Sequence, residues 1–332
     1  MAQRLLACVL ALLATVTAGP VHADPLKIRI QYATVGQFVP LIPVAPKELY
    51  KHYGKSYVVE PVFMAGAGPA LTAFAAKDLD LAALNPQSLG NAVATGQLNA
   101  VGIVSVLTTD VKGYKGGEYW CQDPIKKIED IRGKTIAINT RGSTPEAAAR
   151  ILLERHGMKS GVDYQPVEMP FPASLPALES KRVDCAVMVS PWVNIVATRP
   201  GLNKVFSIGD VFGETESTSW FGRPDWIKEH RAALVDFVED HIRFRHWAQD
   251  PKTQPEAVKL AAQVAKQSPE ALSFLWTHND NYHEPNGLMS VARFQRNLDD
   301  LYKYGLISGK VDAKSHIDTS IVEEAMGRLK IN

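Results

Sequence analysis

The residues able to do chemistry fall in six short loops. In the first half of the chain these are residues 33–38, where Tyr32 leads into Gly36, Gln37 and Phe38; residues 65–68, Ala-Gly-Ala-Gly; and residues 85–88, with Asn85, Gln87 and Ser88. In the second half they are residues 140–144, holding Arg141, Gly142, Ser143 and Thr144; residues 170–172, with Phe171; and residues 190–192, with Ser190 and Trp192. Amides, hydroxyls, glycines and aromatics dominate, and Arg141 is the sole full charge. Such a set makes neutral hydrogen bonds to a small ligand and stacks on a flat one. Catalysis needs more: no loop joins a nucleophile, a base and an orienting acid, and there is no carboxylate pair. Gly66-Ala-Gly68 lacks the third glycine of a dinucleotide fingerprint, and neither a Walker phosphate loop nor a G-x-S-x-G elbow occurs. The string from His278 to Glu284 matches no metal-ligand spacing and reads as a polar helix connection. No metal and no cofactor is expected. Trp192 and Trp220 suit either core packing or a stacking wall for the ligand; Phe38 and Phe171 lean toward packing, and Tyr32, ending a strand, toward the open end.

Strand-to-helix junctions must position these loops, and residues 134–146 are the most complete example. Lys134-Thr-Ile-Ala-Ile-Asn139 follows Gly133 and is short, apolar and β-branched, which predicts a buried strand. Ser143 can act as N-cap, Pro145 falls in the first helical turn, and Glu146 completes an S-x-x-E capping box. Free N–H groups at such a helix start favour an anion. The opposing reading is that the box satisfies the helix end by itself, with Glu146 offsetting part of the dipole.

The same unit recurs. Strands are expected at 26–32, 57–64, 79–84 and 100–106, with helices at 38–52, from Gly66-Ala-Gly68-Pro69 to about 76, and at 88–95. A polar, glycine-containing stretch at 108–117 suggests a crossing between domains. Alternation then resumes: strands at 134–139, 164–169, 185–189 and 204–208, helices at 145–156, 174–180 and 191–198. This order predicts an α/β fold with mostly parallel sheets. After a short extended stretch at 217–222 the pattern turns helical, at 224–249, 255–266, 269–276, 287–304 and 319–330. Those helices need an apolar surface, and the first sheet is the nearest. The expected organisation is therefore discontinuous, with lobe one from 26–107 plus 217–332, lobe two from 108–216, and a hinge of two connecting strands.

A chain of 332 residues with 46% apolar and 21% charged residues suits a soluble protein of two domains. Residues 1–23 read as a cleavable secretory signal peptide: Arg4, an apolar run from Leu5 to Ala18, and Val21-His22-Ala23 before Asp24. The Leu5-Leu6-Ala7-Cys8 string precedes that run, so lipidation is rejected and a periplasmic location is expected. The formal net charge of +1 falls to zero once Arg4 leaves. A neutral protein has no global field for nucleic acid or anionic lipid. Cys121 and Cys185 remain; in an oxidising compartment they can pair, or Cys185 can be a small core residue at a strand start.

Several strings together resemble a known family: Ile-Arg-Ile-Gln-Tyr from Ile28, Ala-Phe-Ala-Ala-Lys-Asp-Leu-Asp-Leu-Ala from Ala73, Gly-Lys-Thr-Ile-Ala-Ile-Asn-Thr-Arg-Gly-Ser-Thr from Gly133, Leu-Pro-Ala-Leu-Glu-Ser-Lys-Arg-Val-Asp-Cys-Ala-Val from Leu175, Ser-Pro-Trp from Ser190, and Leu-Tyr-Lys-Tyr-Gly-Leu-Ile from Leu301. The mature chain resembles periplasmic solute-binding proteins of the nitrate/sulfonate/taurine and thiamine-precursor ABC importers. The resemblance implies a type II binding-protein fold whose lobes close on one small molecule. It places the ligand against Gly36 and Gln37, against Asn85 to Ser88, and against Arg141 to Thr144. Arg141 and the Asn85-Pro86 pair depart from the family pattern. Arg141 points to a carboxylate or a sulfonate, held by a charge-assisted bond worth ~1.5–3 kcal/mol, and the aromatics near several loops favour a flat ligand, so the expected ligand is a sulfonate or an aromatic carboxylate. The partners implied are separate ABC permease and ATPase chains, with the receptor itself a monomer. Two rivals stand beside it: an enzyme of the thiamine-pyrimidine branch, whose cysteine-rich motif is missing here, and a sensory module unconnected with transport.

Overall fold

The computed structural model describes residues 24–331, apart from residue 65, so the signal-peptide reading of residues 1–23 lies outside the described residues. The chain starts with β1 (Leu26–Tyr32), whose alternate residues Ile28 and Ile30 are fully buried, and continues through β2 (Tyr57–Phe63), α1 (Ala67–Ala75), β3 (Leu81–Leu84), α2 (Pro86–Ala94) and β4 (Val101–Thr109). It then crosses to a second unit: β5 (Glu118–Gln122), β6 (Thr135–Ile138), α3 (Thr144–Arg155), β7 (Gln165–Glu168), α4 (Phe171–Glu179), β8 (Cys185–Met188), α5 (Trp192–Val196), β9 (Leu202–Ser207) and α6 (Gly209–Phe212). The strand β10 (Thr215–Gly222) returns to the first unit. Five further helices follow: α7 (Pro224–Glu229), α8 (Arg231–Gln249), α9 (Gln254–Ala265), α10 (Val291–Lys303) and α11 (Ser320–Leu329).

Two five-stranded mixed sheets result, ordered β2-β1-β3-β10-β4 and β7-β6-β8-β5-β9. In the first, β1 pairs in parallel with β2 and β3, while β10 is antiparallel to β3 and β4. In the second, β6 is parallel to β7 and β8, while β5 is antiparallel to β8 and β9. Each sheet thus has one strand of reversed direction, and it is the strand that arrives from the other unit. With helices on both faces of each sheet this is the two-lobe, type II binding-protein fold, and the paired β4 and β10 lead into the two crossings.

Leu234, Val235, Val238 and Ile242 of α8 and Ile321 and Val322 of α11 are buried against Ile28, Ile30, Ile103 and Val104 of the first sheet. Burial of this kind stabilises by roughly 1.5–3 kcal/mol per large apolar side chain. Another apolar cluster runs from Phe74, Leu89 and Phe294 in the first lobe to Ile136, Ile151 and Phe206 in the second.

Five expectations need correction. Residues 38–52 form no α-helix but short 3-10 segments, at Val35–Gln37, Val39–Val44 and Lys47–Leu49. Pro40, Pro43 and Pro46 remove the backbone donors a helix would need. Strand β5 lies in a stretch not expected to be regular. The expected helix at 224–249 breaks at His230 into α7 and α8, and the one at 287–304 starts only after its N-cap Ser290, because Gly287 has a φ of +76°. Residues 269–276 hold one 3-10 turn, Glu270–Leu272.

Cys121 and Cys185 form a disulfide. They face each other in the antiparallel β5–β8 register, and both are fully buried. Cys185 is therefore a core residue and a paired one.

Candidate functional site

The two lobes meet where α2 and α3 begin. Asn85 caps α2 in full: its Oδ1 accepts from the Ser88 N–H at 2.8 Å, and the Ser88 Oγ accepts from the Asn85 N–H at 3.1 Å. The reciprocal capping box thus belongs to Asn85 and Ser88. At α3 the Ser143 Oγ accepts from the Glu146 N–H at 3.3 Å and donates to the Thr140 carbonyl at 2.7 Å. The Glu146 carboxylate reaches past Ser143 and accepts from the Gly142 N–H at 3.4 Å, so only half of the expected box forms there. Gly142 turns the chain with a φ of +74°, a conformation glycine adopts without strain. The Asn85 Nδ2 then donates across the seam to the Gly142 carbonyl at 3.4 Å. Asn85, Gln87, Ser88, Gly142, Ser143 and Thr144 are brought together in this way.

Arg141 is not directed into the seam. Its side chain is 64% exposed, and its Nε lies 3.3 Å from Glu168 Oε1 at the end of β7. The buried charge at the start of α3 is instead Glu146, whose carboxyl is pushed up from its ordinary range by burial, with the Gly142 N–H and the nearby Arg150 acting the other way. The Gly142 N–H at the α3 start is therefore already taken by an internal carboxyl, and the groups left there for a ligand are those of Ser143 and Thr144.

The first-strand loop is drawn inward. Gln37, 5% exposed, folds back so that its Oε1 accepts from the Ala33 N–H at 2.7 Å, and the Gly36 carbonyl accepts from the Trp276 indole at 3.0 Å. Phe38 and Trp220 do not line a cleft. Phe38 is fully buried, stacked on Trp276 at 5.3 Å with Arg245 over its ring. Trp220 is fully buried against Phe237 and His241 of α8, because its place in β10 turns it toward the helical layer. Tyr32 meets Phe63 edge-on at 5.7 Å and packs on the apolar cluster of the first sheet. Phe171 and Trp192 are half-buried, Phe171 packing on the apolar cluster shared by both lobes and Trp192 on a cluster of the second lobe.

Ser190 and Asn194 mark a second contact across the seam, unseen in the sequence: the Ser190 Oγ and the Asn194 Nδ2 both donate to the Asn279 carbonyl, at 2.8 and 3.1 Å. Asn279 belongs to the stretch from His278 to Glu284, which is tied down by its own Asp280–His283 pair at 3.4 Å and by the Tyr282–Thr108 bridge. Among the described residues one group has metal-like proximity, His52, Asp236 and Glu239. Arg328 and Arg243 already pair with those carboxylates, which leaves little charge for a cation.

With the lobes in contact, the seam between α2 and α3 closes to a nook of about 10 Å³. A larger trough of about 420 Å³ lies outside the seam at the crossing, bordered by Asp110, Lys112, Tyr114, Lys115 and Lys204. Its lysines face solvent or pair locally, as Lys204 does with Glu118 at 2.8 Å, so the seam with its converging uncharged groups is the better candidate.

No curated protein matches the sequence. Solved structures share the fold at low identity. The alkanesulfonate-binding protein from Xanthomonas axonopodis pv. citri bound to MOPS is 16% identical, with a TM-score of 0.70 over 90% of this chain and 99% of that one. The periplasmic aliphatic sulphonate binding protein from Escherichia coli is 17% identical, TM-score 0.66, over 89% and 93%. The periplasmic nitrate-binding protein from Synechocystis PCC 6803 is 12% identical, TM-score 0.70, over 93% and 90%. The NMT1-like family matches residues 22–262, most of the chain, and the protein belongs to that family.

Proposed function

We propose that the protein is the extracytoplasmic substrate-binding component of an ABC importer, binding a small organic anion, a sulfonate or an aromatic carboxylate, between lobes that close about the crossings at residues 110–117 and 208–214. The observation that carries the reading is the meeting of two capped helix starts, Asn85 on α2 and Ser143 on α3, joined by a hydrogen bond from Asn85 to Gly142. Such a seam offers backbone and side-chain donors to whatever separates the lobes. Names support it too: three structures of the same fold are described as sulfonate- or nitrate-binding. In this reading the anion is held by Asn85, Ser88, Ser143 and Thr144 and not by Arg141. Permease and ATPase chains recognise the closed form, and the receptor acts as a periplasmic monomer. Among the described residues no helix is long and apolar enough to cross a membrane.

A thermal-shift screen of the mature protein tests this. The panel holds alkyl and aryl sulfonates, taurine, nitrate, aromatic carboxylates and thiamine pyrimidines. A true ligand at 100 times its dissociation constant adds ~2.7 kcal/mol of stability, a readily seen rise in melting temperature. A panel with no effect would sink the ligand class.

A further inference from the structure

The nook that remains between the closed lobes has an uneven chemistry. Gln87 of α2 and Asn297 of α10 line it from the first lobe and Thr144 of α3 from the second; Thr215 of β10 adds a hydroxyl, and Phe212 and Leu301 close it with apolar walls. Asn297 is 1% exposed and Gln87 6%. Neither the Nδ2 nor the Oδ1 of Asn297 has a hydrogen-bond partner, and neither does the Oε1 of Gln87. Thr215 spends its hydroxyl on the Gly213 carbonyl at 3.2 Å. Three polar atoms on two buried amides thus stand unsatisfied around one small space. Leaving buried polar groups unpaired is costly, so a site that keeps them is built for a partner.

The volume and the balance of donors and acceptors define that partner. A space of about 10 Å³ takes a single water-sized group. Two of the three orphans are carbonyl oxygens, which accept hydrogen bonds and donate none. A sulfonate or nitrate oxygen would leave both unpaired and face them with like partial charge. A terminal N–H group would satisfy them. Glu146, between the lining residues Thr144 and Ala147 in the chain, adds a buried carboxyl nearby, and none of the lining residues is a cation. Both amides are held in place: Asn297 lies on the buried face of α10 with Phe294, Leu298 and Leu301, and Gln87 sits in the first turn of the capped α2.

We infer that Asn297 and Gln87 are specificity-determining residues whose amide oxygens receive a terminal amino or amide N–H group of the ligand, so that the ligand carries a hydrogen-bond donor at the end remote from its acidic group. This rests on the ligand lying in the seam described above. The ligand's acidic end faces Asn85, Ser88 and Ser143, and its donor end enters the nook.

Matched pairs differing only by amino for methyl test it: taurine against 1-propanesulfonate, 4-aminobenzoate against 4-methylbenzoate, and 4-aminobenzenesulfonate against 4-methylbenzenesulfonate. Titration calorimetry on the mature chain should find the amino member of the binding pair at least about tenfold tighter, because the methyl group leaves the amides unpaired. Asn297→Leu should abolish that preference, weakening the amino member about tenfold while the methyl member binds as well or better. Asn297→Asp, which keeps an acceptor oxygen, should retain the preference and guards against reading a folding defect as lost recognition. Equal binding of both members, or a preference that survives Asn297→Leu, overturns this inference alone and makes the nook the seat of a structural water. Binding by no member of any pair overturns both this inference and the proposed ligand class.

Discussion

Reduction of the Cys121–Cys185 disulfide should destabilise the protein by ~4 kcal/mol. The bond closes a loop between residues 64 apart in sequence. Loop-closure entropy for about that length is roughly 14 cal/mol/K, or ~4 kcal/mol at room temperature, chiefly by constraining the unfolded chain. At about 2–4 °C per kcal/mol for a chain of this size, the melting temperature should fall by about 10 °C. The comparison must be between oxidised and reduced protein of one sequence. A double alanine variant would also open space in a core where both sulfurs are fully buried, which adds a cavity cost of its own. Urea unfolding with and without a phosphine reductant measures the difference. Alkylation followed by mass measurement verifies that two thiols become reactive only after reduction and unfolding. A loss below about 1 kcal/mol would refute the entropic account, and two thiols that alkylate in unreduced, denatured protein would refute the bond itself.

The crossing should give stability a pH dependence. Burial pushes the Asp110 carboxyl up to about 6, with the neighbouring Asp210 and Glu118 adding to the rise and the Gly209 N–H and Lys204 opposing it. A carboxyl raised above its unfolded value of about 3.9 contributes stability below that pH and loses it as pH climbs through 6. Asp110→Asn should therefore gain on the wild type between pH 4 and 6 and hold that gain above, as urea midpoints across pH would record; a pH-independent difference refutes the reasoning. Arg141→Ala should change unfolding stability by no more than ~1 kcal/mol, since both members of its pair with Glu168 are about half exposed or more. The same variant should shift ligand affinity less than about threefold, and a loss above tenfold would return Arg141 to the binding site.

Much of the fold was legible because the sequence writes strand-to-helix junctions plainly. Ser143 with Pro145 and Glu146, and Gly66 with Gly68 and Pro69, announce helix starts through local chemistry, and local chemistry settles them. The stretch at 38–52 misled because its apolar spacing suits a helix while three prolines forbid one. Strand β5 was hidden for a different reason: Glu118-Tyr-Trp-Cys-Gln122 becomes a strand only by inserting between β8 and β9, a pairing no local window contains. The same limit governs the site. The loops at 85–88 and 140–144 could be placed at the seam from their positions after strands, but side-chain direction depends on neighbours in space. Arg141 turns outward because Glu168 ends the adjacent strand, and Trp220 turns inward because α8 covers that face. Asn297 was missed although a signal existed: it shares the helical spacing of Phe294, Leu298 and Leu301, and an amide on an apolar stripe asks for a partner.

The position of β10 has a consequence for the order in which the molecule can assemble. The second sheet uses strands β5 to β9 from one uninterrupted stretch, and all its pairings close within that stretch. The first sheet cannot do the same. β3 and β4 do not pair with each other; β10 lies between them, and the whole second lobe separates it from both in sequence. Until that strand is in place the first sheet is two fragments with exposed facing edges, which other chains can extend, and α8 and α11 have no completed surface to cover. The earliest-made strands are thus among the last to be finished. The vulnerable interval in this protein's life is the wait for Thr215–Gly222, during which non-local pairing is slow and unpaired edges invite association.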